Sequence, residues 1–168
     1  MEPINREVLE AELVIDEGEK LKVYFDTERH PSVGVGRNLD SARKGGKGIS
    51  ARETLELDIT RASVIKNGVT RKQSRLLLAN DIDNVFADLD RALPWWRTLD
   101  PVRQRVLANM CFNLGITKLL GFKQTLGLIK RGLYDMASET MLESKWARQV
   151  GKRALRLSRL MLLGPAQR

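Results

Sequence analysis

One cysteine, one histidine and five prolines occur in 168 residues, and aromatic side chains make up only 5% of the chain. With no second cysteine, Cys111 has no partner for an internal disulfide. Its neighbours Met110 and Phe112 point to a buried thiol used as a small apolar group, not to redox or metal chemistry. The lone histidine, His30, precedes Pro31 in a turn-forming stretch and is too isolated for a metal centre or a catalytic triad, so a solvated ring is expected. Long apolar runs are also lacking. The segment Met1-Glu2-Pro3-Ile4-Asn5-Arg6-Glu7 carries acids and no continuous hydrophobic stretch, so neither a secretory signal nor a membrane anchor is read there, and synthesis in a cytoplasm is expected. Acidic residues are the minority, 21 against 29 Lys and Arg, for a formal net charge of +8. That excess favours an anionic partner, and nucleic acid, membrane surface and anionic cell wall all qualify.

At this length the chain suits one domain or two small lobes around a sizeable core. Ile4, Val8, Ala11 and Ile15 recur at helical spacing after a capping Asn5, and Gly18 marks the stop, leaving Glu17 at the helix end. Alternation then begins: Leu21, Val23 and Phe25 face one way and Lys20, Lys22 and Tyr24 the other, as in a strand. A second strand is read over Ser32-Val33-Gly34-Val35-Gly36, and the turn formers from Asp26 to Pro31 bring Asp26 and Ser32 near each other. Capping boxes open helices at Ser50-Ala51-Arg52-Glu53 and Thr70-Arg71-Lys72-Gln73, with Asn67-Gly68 ending the first. Leu78, Ile82, Val85, Leu89 and Ala92 hold one face of the second until Pro94 stops it. Asp100-Pro101 caps a helix apolar nearly all round, ended by Gly115. Helices are expected around 123–131, 134–142 and 145–163, giving an α+β chain, mostly helical, with one small antiparallel sheet near its start.

Glycoside hydrolysis by inversion needs one carboxyl group that delivers a proton to the leaving oxygen and another that activates water on the opposite face. Glu17, after an apolar helix, and Asp26, at a polar turn, are candidates for that pair, and Ser32 offers a hydroxyl to hold the water. Helix-terminal glutamates and turn aspartates are common, so spacing alone carries little.

More comes from the run Ile15-Asp16-Glu17-Gly18, Leu21-Lys22-Val23-Tyr24, Asp26-Thr27-Glu28 and Ser32-Val33-Gly34-Val35-Gly36, which resembles the active-site segment of the phage lysozymes. That family's Glu, eight residues, Asp, five residues, Thr spacing is repeated here by Glu17, Asp26 and Ser32. The likeness continues collinearly through Gly68-Val69-Thr70-Arg71-Lys72-Gln73, Asn109-Met110-Cys111-Phe112-Asn113-Leu114-Gly115 and Ser144-Lys145-Trp146. It implies a muramidase of two lobes. The small lobe would span about 19–69, the linking helix about 70–92, and the large lobe 1–18 plus 93–168. It implies a general acid (Glu17), a water-orienting carboxylate (Asp26) and a water-holding hydroxyl (Ser32). Substrate contacts would come from Asn38 or Leu39 on the small lobe and from Phe112, Asn113, Thr125 and Thr140. Arg153 would orient the acid, and Asp16 would pair with Arg156. A cation beside a carboxyl group favours its ionised form, so Arg153 would serve chiefly to orient Glu17 unless burial outweighs its charge. The resemblance further implies peptidoglycan as substrate, no cofactor or metal, a monomer, and action on the wall in the periplasm, for host lysis, once another protein has opened the membrane.

Three departures stand out. Ser32 replaces threonine, keeping the hydroxyl; Arg37 stands where the best-known member has histidine, removing any histidine–carboxylate pair; and 43–48 is basic, glycine-rich and unlike it. Gly45-Gly46-Lys47-Gly48 is read as a flexible loop, since Gly48 sits where a phosphate loop needs Ser or Thr. Trp95-Trp96, after a helix-stopping proline, favours packing over sugar stacking. From Lys145 through Arg148, Lys152, Arg153, Arg156 and Arg159 the chain carries no acid, and interleaved Trp146, Val150, Ala154, Leu157 and Leu160 make this a basic amphipathic helix suited to docking or to an anionic envelope surface. A non-catalytic module binding nucleic acid or membrane fits the charge, but no groove-entering helix or recognition motif is present and nucleic acid is not expected. A lytic transglycosylase would need no Asp26 and Ser32.

Overall fold

Helix caps and glycines set the order of elements in the computed structural model, which describes residues 3–40 and 48–166. They are α1 (Arg6–Glu17), β1 (Lys20–Phe25), β2 (Pro31–Gly34), β3 (Arg37–Asn38), α2 (Ala51–Leu57), α3 (Arg61–Asn67) and α4 (Arg71–Ala92). After a 3-10 turn at Pro94–Thr98 come α5 (Pro101–Leu114), α6 (Ile116–Leu120), α7 (Lys123–Lys130), α8 (Tyr134–Glu143), α9 (Lys145–Val150) and α10 (Lys152–Leu163). The fold is α+β and mostly helical, with one three-stranded antiparallel sheet in the order β1-β2-β3. No helix among the described residues is long and apolar enough to cross a membrane. Residues 43–47 of the glycine-rich segment lie outside the described residues.

Contacts group the chain into two compact units, Glu10–Asp83 and Met1–Leu9 with Asn84–Arg168, so the divisions fall inside α1 and inside α4. In the sheet unit, Val33, Leu39, Ile59, Val64, Val69 and Leu77 form a buried cluster on which Leu21, Val23, Ile49 and Leu57 pack. In the helical unit, α5 is buried at Gln104 and from Val106 through Cys111, and α10 packs chiefly on α8 and α5.

Several expected signals act as caps. The Val8 N–H donates to Asn5 Oδ1 (3.1 Å), Thr70 and Gln73 close a reciprocal box (2.9 and 3.1 Å), and Asp100 Oδ1 accepts from the Val102 and Arg103 N–H groups (3.0 Å each). Each satisfies donors that a helix start leaves unpaired. Cys111 is buried, and Trp96 is wholly buried with Nε1 donating to Asp90 Oδ1 (2.7 Å), which is the packing reading.

Four details differ from expectation. On α1 the buried stripe is Leu9 and Leu13, while Ile15 is 79% exposed. Two stripes of comparable spacing compete there, and the one carrying the two leucines takes the interior. Phe25 is also exposed, because the β1–β2 register shifts between Lys20 and Tyr24 and the strict alternation of faces is broken. The helix opened by Ser50 ends at Leu57, not Asn67. Asp58 adopts a left-handed conformation (φ 52°), tolerable for aspartate, and Thr60 with Ser63 caps a new helix that buries Val64. The C-terminal stretch is likewise two helices, broken at Gly151 (φ 53°).

Candidate active site

The three candidate chemical groups all belong to the sheet unit. Glu17 is the last residue of α1; Gly18, at φ 73°, turns the chain, its N–H donating to the Val14 carbonyl (2.9 Å), and β1 starts at Lys20. The corner is fastened to α4 by Glu19. Its carboxylate accepts from Ser74 Oγ (3.0 Å) and Arg75 Nε (2.6 Å). Burial opposes ionisation of Glu19, but the Arg75 and Ser74 hydrogen bonds and the charges of Arg75 and Arg71 outweigh it and hold the carboxyl below its usual range. Glu17 itself lies against the backbone of Gly36, where a Cβ would sit 3.1 Å from Oε2 and 3.4 Å from Cδ. Only glycine fits that place without moving the carboxyl group, and Gly36 also needs its φ of 70°.

Asp26 is fixed by the hairpin turn. Its Oδ1 accepts from the N–H groups of Glu28 (2.9 Å) and His30 (2.8 Å), its own N–H donates to the His30 carbonyl (3.0 Å), and Arg29 takes a left-handed φ of 65° to close the turn. Oδ2 is the oxygen the turn does not use. Ser32 lies in the central strand, paired across the sheet with Tyr24 and Asn38. It is buried, and its hydroxyl makes only a long contact, 3.4 Å, to the His30 carbonyl, too weak to command its orientation. Tyr24 joins the two carboxylates. Burial first, then the negative charges of Glu17 and of Asp26, push its phenol above the ordinary range, so the ring stands within electrostatic reach of both. Lys20 Nζ caps the ring face at 4.4 Å. Sequence alternation puts Tyr24 on the polar face with the lysines and gives no sign that it feels both carboxylates.

Behind the sheet lies a buried charge cluster. Arg37 donates through Nε to Asp81 Oδ2 (3.0 Å) and through both terminal nitrogens to Glu53 (3.0 and 2.8 Å), with further bonds to the carbonyls of Gly48 and Leu77. All three side chains are nearly inaccessible. Burial works against both charges of the Arg37–Glu53 pair. Arg37, Asn80 and the Ser50 N–H nevertheless bring Glu53 from 4.5 down to about 2, while Glu53 and Asp81 lift Arg37 above the arginine range. Arg37, the residue directly after Gly36, thus makes a forked ion pair. His30 is not simply solvated: its ring lies 3.6 Å from Asp40 and 3.9 Å from Glu28, with a quarter of the side chain exposed.

Of the paired alternatives Asn38 and Leu39, Leu39 is wholly buried in the sheet unit's core, while Asn38 is part-exposed with Oδ1 accepting from the Asp40 N–H (2.7 Å). The remaining candidates belong to the helical unit. Phe112 is part-buried, and Asn113, exposed, accepts from Trp146 Nε1 (2.7 Å). Thr125 and Thr140 bond each other through their hydroxyls (2.7 Å) and line a depression of about 610 Å³ with Phe122, Glu143, Lys145 and Trp146. Arg153, buried at the start of α10, donates from Nε to Asn109 Oδ1 (2.9 Å). Asp16 and Arg156, both part-buried, sit on α1 and α10.

The phage lysozyme family profile matches residues 15–160, a stretch that contains every one of these side chains. The chain belongs to the phage lysozyme family. Members of this family are glycoside hydrolases, and so is this enzyme. It is 28% identical over 149 residues to a probable T4-type lysozyme 1 of Dictyostelium discoideum, an overlap of 86% of this chain and 88% of the relative. A probable T4-type lysozyme 2 of the same organism is also 28% identical, over 153 residues and with the same two coverages. The pre-baseplate central spike protein Gp5 of Enterobacteria phage T4 is 28% identical over 153 residues, which are 26% of that longer protein.

Proposed function

We propose that this lysozyme hydrolyses the β-1,4 bond between N-acetylmuramic acid and N-acetylglucosamine in bacterial peptidoglycan, with inversion, to breach the wall of a bacterial host. Glu17 is the general acid that protonates the glycosidic oxygen as the bond breaks. Asp26 and Ser32 hold a water on the other face of the sugar; Asp26 takes its proton as it attacks the anomeric carbon, in one displacement. The observation that carries this reading is the anchoring of Asp26. Two backbone N–H groups hold Oδ1, so the carboxylate is preoriented and Oδ2 is left as the water-binding oxygen. The Ser32 hydroxyl, weakly engaged, can turn toward that water. Tyr24, feeling both carboxylates, supports their action on one bond. Proton NMR of the first product, taken before mutarotation, tests the reading: the α-anomer is expected. An initial β-anomer would refute the water-holding role of Asp26 while leaving Glu17 as acid, and an anhydro product by mass would refute hydrolysis altogether.

A further inference from the structure

Among the side chains around the site, Tyr24 is the one that has no task. It is paired with Ser32 across β1 and β2, past the point where the register shifts, and directly opposed residues share a face with their Cβ atoms about 5 Å apart. Asp26 follows two residues later and still pairs with the other arm of the hairpin, its N–H bonding the His30 carbonyl at 3.0 Å. Alternation along the strand therefore puts Tyr24, Ser32 and Asp26 on one face of the sheet. Their reach differs. A serine hydroxyl stops close to its strand, whereas a phenol extends well beyond, so the two approach a small molecule lodged there from different sides. The Tyr24 ring is part-buried, Lys20 Nζ covers one of its faces at 4.4 Å, and among the described residues its hydroxyl has no hydrogen-bond partner. A phenol partly withdrawn from solvent ordinarily finds such a partner, so this hydroxyl is left over for a molecule that enters the site.

We propose that the Tyr24 hydroxyl is a third group holding the attacking water. The proposal rests on the one-displacement reading given above and extends it to a residue not assigned there. Water has two protons and two lone pairs. One proton goes to Asp26 Oδ2 and one lone pair points at the anomeric carbon, which leaves one proton and one lone pair to be met if the molecule is to stay aimed. Ser32 and Tyr24 are both hydroxyls, each able to give or to take a hydrogen bond, and between them they satisfy the two. A phenolate could only accept. Burial, with the negative charges of Glu17 and Asp26, holds Tyr24 above the ordinary tyrosine range and so keeps it a neutral hydroxyl. As the new bond to carbon forms, the proton passes to Asp26 and Tyr24 keeps its own; its part is to orient.

The test is steady-state cleavage of soluble peptidoglycan fragments by the full chain. Tyr24→Phe keeps the ring and its contact with Lys20, so it should melt as the wild type does, with KM unchanged and kcat down about tenfold, the worth of one neutral hydrogen bond in the reacting state. A ring used only for packing, or as a platform for sugar, would keep its full kcat as phenylalanine, and that result would overturn the proposal. So would a loss confined to KM, which would make Tyr24 a contact to the bound sugar and not to the water. The second arm is a double-mutant cycle with Ser32→Ala. Two hydroxyls on one water act as a unit, so the double variant should lose clearly less than the product of the two single losses. Strictly multiplicative losses would show that the two do not share a water and would also overturn the proposal. The first product anomer separates this failure from failure of the reading beneath it. With an α-anomer and a fully active Tyr24→Phe, only the role of Tyr24 falls; an initial β-anomer removes the held water, and the role of Tyr24 with it.

Discussion

In the proposed mechanism Asp26 serves two purposes, and different substitutions separate them. Its Oδ1 braces the hairpin, and an asparagine in its place still offers that oxygen to the Glu28 and His30 N–H groups. Asp26→Asn should therefore melt near the wild type yet lose on the order of 10²-fold or more in turnover, because an amide does not take a proton from water. Asp26→Ala should suffer both, with about 1 kcal/mol of stability lost in addition. Similar activity in wild type and Asp26→Asn would remove the residue from the mechanism. Glu17→Gln should fold and be nearly inactive, and Ser32→Ala should be the mildest of the three, since one water-holding group goes and a weak 3.4 Å contact with it. Gly36→Ala is the sharper probe of position. Its methyl would meet Glu17 Oε2 at 3.1 Å in a backbone conformation costly for alanine by about 1–2 kcal/mol. Activity measured well below the melting temperature should fall by more than folding does.

Between elements, the strongest tie in the sheet unit is the Arg37 fork, joining β3 to α2 through Glu53 and to α4 through Asp81. Replacing one partner leaves the others charged and buried, so Arg37→Met should cost about 3–5 kcal/mol, far more than a surface pair would. Glu53 gives this tie a pH signature. Its carboxyl is lowered on folding, from 4.5 to about 2, so its contribution is complete above pH 4.5 and is lost as pH falls through about 2. Stability of the wild type should thus decline across that window, and the decline should flatten in Arg37→Met, where Glu53 has lost its principal partner. Acid titration followed by circular dichroism reads both slopes; parallel slopes would show that Glu53 does not set the acid limb. The exposed Arg52–Glu56 pair on α2 offers a contrast, because solvent screens it and its removal should leave the same curve unchanged.

For the whole molecule, the two units do not bury equal cores. The sheet unit rests on small aliphatic side chains around Val33 and Leu77, whereas the helical unit buries Trp96, Leu107, Met110, Ile129, Met141 and Trp146 among others. Local opening free energy follows buried apolar contact, so amides of β1 to β3 should exchange through a lower-energy opening than those of α5. Native-state hydrogen exchange at rising urea should show the sheet unit's amides joining an early isotherm, and one common isotherm would count against two cooperative units.

Local chemistry in the sequence determined a good part of this protein. Asn5, Thr70 and Asp100 announce helix starts because a side-chain oxygen meets unpaired N–H groups only a few residues away, and Pro94 and Gly115 end helices by their own backbone limits. The spacing of Glu17, Asp26 and Ser32 was legible for the same reason: a helix end, a tight turn and a strand are short-range events. What the sequence left open was settled by competition over distance. Whether Phe25 stays on the face that alternation gives it depends on the register of β1 against β2, and whether Arg37 finds Glu53 and Asp81, 16 and 44 residues away, depends on packing against elements remote in the chain, as does which of two stripes on α1 is buried. Tyr24 shows the limit most clearly. Its position in β1 was readable, but its place within reach of both carboxylates arises only when the turn after α1 and the hairpin close around it, because an electrostatic field sums over space and takes no account of sequence order.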